Sequence, residues 1–358
     1  MASVAVIGAA GYVGRLLCTR LAEDGAVTGV VRSSSGFLLD QIGIDWVSVE
    51  DAGRDAPFDV VVNVAYPTSG PGYEYPKQNR GLLNLIQRLA SADGRVLQLS
   101  TQAVFGMALE HRQTPGPLPM RRDFLYVESK LELEKLLIEQ LAGPQLHVVR
   151  SGNVWGPGSP VWTGSLAQRL LFGEAVAVHG SDGFSNVTDV ANLVSYLAFL
   201  ARRARDQDRG RVSFHHLAEL GNLRWSHWIE RMSDRLHVVP VYSRQHGYPT
   251  SGKQELRTAL LAHPSRAIAR ELKDARVAGS ALRSLLRGLP PPATRALRRK
   301  WAGGGASGGA GAVEDVLLSV LSCDTRFAPV VDPAWTPPVD SEASWLAIAA
   351  WLDEVGYT

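Results

Sequence analysis

Tyr126 and Lys130 stand four residues apart in the run Phe124 to Ala142, FLYVESKLELEKLLIEQLA, where apolar residues recur three and four apart. Such a run reads as one amphipathic helix, and a spacing of four places the phenol and the ammonium on one face. An ammonium beside a phenol stabilises phenolate and draws the tyrosine pKa down from about 10 toward the range useful for proton transfer. Taken alone, such a pair is more often a solvated helix face.

A second stretch with chemistry in it opens the chain. Ser3 to Ile7 reads as a buried parallel strand and runs directly into Gly8-Ala9-Ala10-Gly11-Tyr12-Val13-Gly14, followed by the helix-like LLCTRLAEDG. Gly8 permits the tight turn from strand to helix, and Gly11 lets backbone approach a pyrophosphate. Gly14 lets helix and strand pack closely, while the N–H groups and dipole at the helix start favour an anion. A glycine turn in an ordinary α/β protein is the alternative; placed between a strand and a helix, the pattern points to a bound dinucleotide. Tyr12 and Val13 fall within the same turn. Strand two, Ala26 to Val31, ends at Arg32. An acidic residue there would accept from the adenosine ribose, whereas an arginine offers a cation to a 2′-phosphate. That favours NADP, with NAD as the alternative and a solvated Arg32 as the plain reading. Glu50 and Asp51, after strand three, and Ala65, ending strand four, complete the cofactor-side candidates.

The elements that must position these residues alternate. Strands are expected at 46–49, 58–65, 95–100 and 146–150, with helices near 78–92 and 124–142. This is the order of a Rossmann-like, doubly wound parallel sheet with helices on both faces. Later signals are mixed: a helix over 188–203 capped by Thr188 or Asn186, a short strand at 214–217, a short helix at 315–321, and a final helix from Ser341. The expected organisation is a dinucleotide-binding domain over 1–160, with returns around 184–218, and a smaller substrate lobe over 161–358. Paired His215 and His216, alternating outward and inward on a strand, read as structural rather than metal-binding.

With 358 residues, 45% hydrophobic and 20% charged, the chain suits a globular enzyme. It has no apolar run of about 18 residues to span a membrane. Its start lacks a basic region followed by an apolar stretch, and Cys18 and Cys323 offer no disulfide framework, so the cytosol is expected. Charge is uneven. Residues 251–312 hold twelve Lys/Arg against three Asp/Glu, a surplus of nine, which leaves −7 for the rest against the net +2. The basic part, 251–301, is either a solvated helical cover or a dock for an acidic carrier protein or other polyanion. Nucleic acid is disfavoured because stacking aromatics are scarce there. The glycine-rich 302–312 reads as a flexible loop.

Taken together, GxxGxxG at Gly8, Gly11 and Gly14, STQAVFG at Ser100, YxxxK at Tyr126 and Lys130, and RSGNVWGPG at Arg150 resemble the extended short-chain dehydrogenase/reductases, the NAD-dependent epimerase/dehydratase family. NVTDVANLV and the C-terminal WTPPVDSEASWLAIAAWL extend that resemblance. It implies catalysis by Thr101, Tyr126 and Lys130. Tyr126 would move a proton to or from a substrate oxygen, Thr101 would hydrogen-bond that oxygen, and Lys130 would hold the nicotinamide ribose. Gln102 and Asn153 would lie near substrate. The dehydratases carry an Asp-Glu pair where this chain has Gln102-Ala103, so sugar 4,6-dehydration is not expected. The arginine that commonly grips a nucleotide-sugar diphosphate is replaced by SDGFSNVTD, without a cation. The expected activity is hydride transfer at a secondary alcohol or ketone of a sugar-like, small-molecule substrate. The alternatives are a ketoreductase on a carrier-linked or natural-product substrate, or a non-catalytic dinucleotide sensor. A homodimer is one open arrangement.

Overall fold

The computed structural model describes residues 2–54, 57–66, 74–106, 113, 115–118, 125–203, 212–243 and 323–357. The basic segment 251–301, the glycine-rich loop 302–312 and the helix expected at 315–321 lie outside the described residues.

Seven strands form one sheet: β1 (Val4–Ile7), β2 (Val27–Val31), β3 (Trp46–Ser48), β4 (Phe58–Asn63), β5 (Ala90–Thr101), β6 (Gln145–Ser151) and β10 (Val212–Leu217). Their order is β10-β6-β5-β4-β1-β2-β3, and every neighbouring pair is parallel. Runs such as VAVI and the VVV of β4 are apolar on successive residues because both faces are covered. On one face α1 (Tyr12–Ala22) and α6 (Val190–Arg202) bury Leu17, Leu21, Leu193 and Leu197. A short α2 (Phe37–Asp40) follows β2 and adds Leu39 to the same cluster. On the other face α3 (Tyr75–Leu89) and α4 (Leu125–Gln140) bury Leu83, Ile86, Leu133 and Leu137. The strand order reverses beside β1, where β2 lies on one side and β4 on the other. That switch point opens a crevice at the carboxyl ends of the strands.

A separate cluster gathers α5 (Thr163–Phe172), α7 (Trp225–Leu236) and α8 (Ser341–Glu354) around Trp155, Trp225 and Trp228. Its helices α5 and α7 escape the sequence pattern. So do the short pairs β7 (Asn153–Trp155) with β9 (Val187–Asp189) and β8 (Ala175–Val178) with β11 (Val241–Ser243). Strands of three or four residues are too short to show a period.

Several boundaries differ from the sequence reading, β4 ending at Asn63 rather than residue 65 among them, and three have a visible setting. Helix α3 starts at Tyr75, because Pro76 falls in the first turn, where its missing N–H costs nothing. Strand β5 starts at Ala90, which pairs with Phe58 ahead of a register shift. The cap of α6 is Asp189, whose Oδ1 accepts from the Ala191 amide at 2.7 Å. Thr188 instead accepts from the Gly152 amide and donates to the Leu217 carbonyl. Asn186 holds the returning segment, donating to the Thr325 carbonyl at 2.9 Å and accepting from the Phe327 amide at 2.7 Å.

His215 and His216 leave β10 on opposite faces, yet both are buried, so neither points outward to solvent. His215 bonds the Tyr196 hydroxyl at 2.7 Å and His147 at 3.1 Å. His216 stacks on Phe327 and lies edge-on to Phe105. Burial, reinforced by Arg203 for one and Arg150 for the other, pushes both imidazoles down to about 4. Their folded pKa values lie below the unfolded value near 6.5, so they contribute stability above about pH 6.5 that is lost as pH falls toward 4. His216→Gln should flatten the decline in stability between those limits by one proton's worth, about 1.4 kcal/mol per pH unit. Denaturant midpoints measured across that window check this, and an unchanged slope would show that His216 does not titrate.

Candidate active site

Thr101 ends β5, buried and in register with Ser151 of β6. Tyr126 and Lys130 lie one turn apart on α4, which packs against that strand. The Tyr126 phenol lies beside the Thr101 side chain. Lys130 donates to the Leu99 carbonyl at 3.1 Å and is 6% exposed, while Tyr126 is 40% exposed as a whole. Desolvation at its oxygen raises the Tyr126 phenol above its ordinary value, with Thr101 opposing. This corrects the expected lowering: burial is the dominant influence on the phenol, and Lys130 is not among the groups that shift it. Burial also pushes Lys130 down to about 8, against the pull of the Glu134 charge.

Tyr66, the first residue beyond Ala65, belongs to this group and is missed in the sequence reading. Its ring meets Tyr126 edge-on with centroids 4.9 Å apart, and the Lys130 ammonium lies 5.2 Å from its centre. Tyr75 packs against its other side at 6.0 Å. An aromatic residue at the carboxyl end of a central strand was the available signal.

The glycine turn lies on the same edge of the sheet. The Gly8 amide donates to the Val30 carbonyl at 3.1 Å, and the Gly11 amide to the Gly8 carbonyl at 2.9 Å. Gly8 holds φ +85, a region that favours glycine, and a Cβ there would meet the Ala65 backbone at 2.9 Å. A Cβ on Gly14 would stand 2.2 Å from the Gly8 carbonyl oxygen. Gly11 is the N-cap of α1 and brings no side chain to its amides. These features fit a dinucleotide: backbone N–H groups free of a side-chain cap, and a turn with no room for side chains.

The remaining candidates differ in what their side chains can still offer. Tyr12 donates to the Pro157 carbonyl at 2.8 Å, so its phenol braces the turn against the loop after β7. Val13 packs partly buried against the core. Arg32 is exposed where the chain leaves β2. Glu50 and Asp51 follow β3; Asp51 accepts from Ser48 Oγ at 2.6 Å and pairs with Arg54 at 2.7 Å. Gln102 is buried, and its Oε1 has no hydrogen-bond partner among the described residues. Asn153 is buried and donates to the Ser185 carbonyl at 2.8 Å.

A seven-stranded parallel sheet carries a glycine turn at its switch point, with Thr101, Tyr126 and Lys130 at β5, two strands away, in the architecture of the extended short-chain dehydrogenase/reductase class. The chain belongs to the NAD dependent epimerase/dehydratase family, whose model matches residues 4–209. Bordetella bronchiseptica WbmG, solved with NAD and UDP, superposes with a TM-score of 0.59 at 14% identity, covering 99% of this chain and 96% of that one. UDP-N-acetylglucosamine 4-epimerase from Bacillus cereus gives 0.52 at 14%, over 72% and 93%. TunA, an NAD-dependent NDP-hexosamine 5,6-dehydratase of tunicamycin biosynthesis, gives 0.51 at 20%, over 72% and 90%. At these identities the likeness is one of fold. No curated protein matches the chain. Among the described residues no helix is long and apolar enough to cross a membrane.

Proposed function

We propose that the chain is an NAD(P)-dependent oxidoreductase or epimerase acting at a secondary alcohol or ketone of a sugar-like substrate, with nucleotide sugars the leading class. The observation that carries this reading is the contact of Tyr126 with Thr101, one helical turn from a buried Lys130, on the sheet edge that holds the glycine turn. Nicotinamide, when bound, supplies hydride transfer at the substrate carbon. Tyr126 moves the proton at the substrate oxygen, and a phenol raised by burial suits the donor role of ketone reduction. Thr101 orients that oxygen, and Lys130 holds the ribose. The unpartnered Oε1 of Gln102 suits acceptance from a substrate hydroxyl. Sugar 4,6-dehydration is disfavoured because Gln102 and Ala103 stand where an acid–base pair would be needed.

The reading leans to net reduction over epimerisation, because an NADP-leaning site suits a cofactor released and renewed every turn. The deciding experiment incubates the protein with nucleotide-linked ketosugars and NADPH and follows the reduced-nicotinamide absorbance. Stoichiometric loss supports the reductase. Interconversion of substrates with catalytic cofactor and constant absorbance would make the protein an epimerase, and neither outcome would overturn the enzyme reading alone; absence of both would.

Cofactor choice has its own test. Arg32 is exposed beside the turn and free to make a charge-assisted, bidentate contact with a 2′-phosphate. Arg32→Ala should cut the preference for NADPH over NADH by roughly 10-fold, the equivalent of about 1.4 kcal/mol. Tighter binding of NADH by the wild type, or an unchanged ratio in the variant, would overturn the NADP assignment.

A further inference from the structure

Tyr126, Lys130 and Glu134 follow one another at intervals of four along α4, so all three share the helix face turned to the sheet. Glu134 is 2% exposed. Its Oε1 accepts from Ser100 Oγ at 2.5 Å and from Arg150 Nε at 3.2 Å, and its Oε2 accepts from an Arg150 terminal nitrogen at 2.6 Å. Arg150 is fully buried between the rings of Phe105 and Phe214, and it also donates to the Gly116 carbonyl at 2.9 Å. Ser100 adjoins Thr101 on β5 and sits in register with Arg150 on β6. A buried row of alternating charge therefore runs from Lys130 through Glu134 to Arg150.

We propose that Glu134 is a positioning residue, whose carboxylate, clasped by Ser100 and Arg150, holds Lys130 in the ammonium form that grips the dinucleotide. The proposal rests on the reading of Lys130 as the residue that holds the nicotinamide ribose.

The physical argument is one of competing charges. An ion pair buried this completely is a poor way to fill space, since apolar residues of equal volume are commonly no less stable. Burial drives Lys130 toward its neutral form, and the Glu134 charge opposes that loss. Among the described residues, the other titratable groups on this side of Lys130 are phenols: Tyr66 beyond β4, against the ammonium, with Tyr126 and Tyr75 packed on the Tyr66 ring. Tyr66 and Tyr126 are raised by burial and stay neutral while Lys130 titrates. Glu134 is thus the anion that sets the ammonium, and Arg150 pairs with it from the far side.

The test is the pH dependence of NADPH binding, followed by nicotinamide fluorescence from neutral to alkaline pH, with NADH in parallel. Wild type should lose affinity as Lys130 deprotonates, with a midpoint of about 8. Glu134→Gln keeps the shape but removes the charge and one of the two acceptor oxygens, and should move the midpoint down by about one pH unit. Near the wild-type midpoint its affinity would then be roughly five-fold weaker. Glu134→Asp keeps the charge and should restore the wild-type midpoint. Arg150→Gln leaves the Glu134 carboxylate buried without its ion-pair partner, a state relieved by neutralisation, so it should also move the midpoint down, and it carries the test if Glu134→Gln does not fold. An unchanged midpoint in the Gln variants, or a midpoint in Glu134→Asp as low as in Glu134→Gln, would overturn the proposal while leaving the dinucleotide reading intact. A wild type that binds neither NADPH nor NADH at any pH would remove both.

Discussion

Tyr126→Phe is expected to lower turnover by ~10²-fold or more while leaving NADPH affinity and melting temperature near wild type. The ring stays, so its edge-on contact with Tyr66 survives, and only the phenol oxygen leaves. The lost contact with Thr101 costs about 1 kcal/mol of stability at most. Catalysis suffers far more, because the proton at the substrate oxygen loses its donor. Steady-state rates on whichever ketosugar consumes NADPH, set beside the dissociation constant for NADPH, separate the two effects. Full turnover in this variant would sink the proton-transfer mechanism and favour a dinucleotide sensor. A fall in NADPH affinity equal to the fall in rate would instead make Tyr126 a binding residue.

The second large effect is steric. Gly14→Ala places a methyl group 2.2 Å from the Gly8 carbonyl oxygen and 2.8 Å from the Ala9 Cα, both backbone atoms that cannot swing aside. Helix α1 must move away from the β1 turn, an overpacking cost of about 1–3 kcal/mol. The same movement spoils the alignment of the α1 amides, and NADPH affinity should fall by at least ~10-fold, or about 1.4 kcal/mol. Gly81→Ala is the matched control. Gly81 lies inside α3 with nothing within 4 Å of an added Cβ, so alanine there should stabilise by about 0.5–1 kcal/mol. Thermal melts and NADPH titrations of both variants check the contrast. Tight NADPH binding by Gly14→Ala would show that the turn is not the pyrophosphate cradle.

Much of this architecture is written locally. Apolar runs such as Val4 to Ile7 and Val60 to Val62 are strands whatever surrounds them, and alternation with amphipathic helices leaves a parallel sheet as their common solution. The glycine turn was legible for the same reason: Gly8 and Gly14 answer to contacts within one strand–turn–helix unit, apart from the approach of Ala65. That Tyr126 and Lys130 share one face of one helix was legible through their spacing.

What the sequence left open depends on residues that meet only after folding. Asp189, rather than Thr188 or Asn186, caps α6, because Thr188 is drawn to Gly152 and Leu217 and Asn186 to a segment nearly 140 positions on. The direction of the Tyr126 shift could not be read from its neighbour Lys130, since burial is set by the surrounding fold, Tyr66 from the segment after β4 included. Glu134 carries the right spacing but gains meaning only when β5 and β6 bring Ser100 and Arg150 to its two oxygens. Period and turn chemistry act over a few residues and survive in a linear reading; desolvation and buried charge pairing are sums over distant parts of the chain, and the tertiary structure decides them.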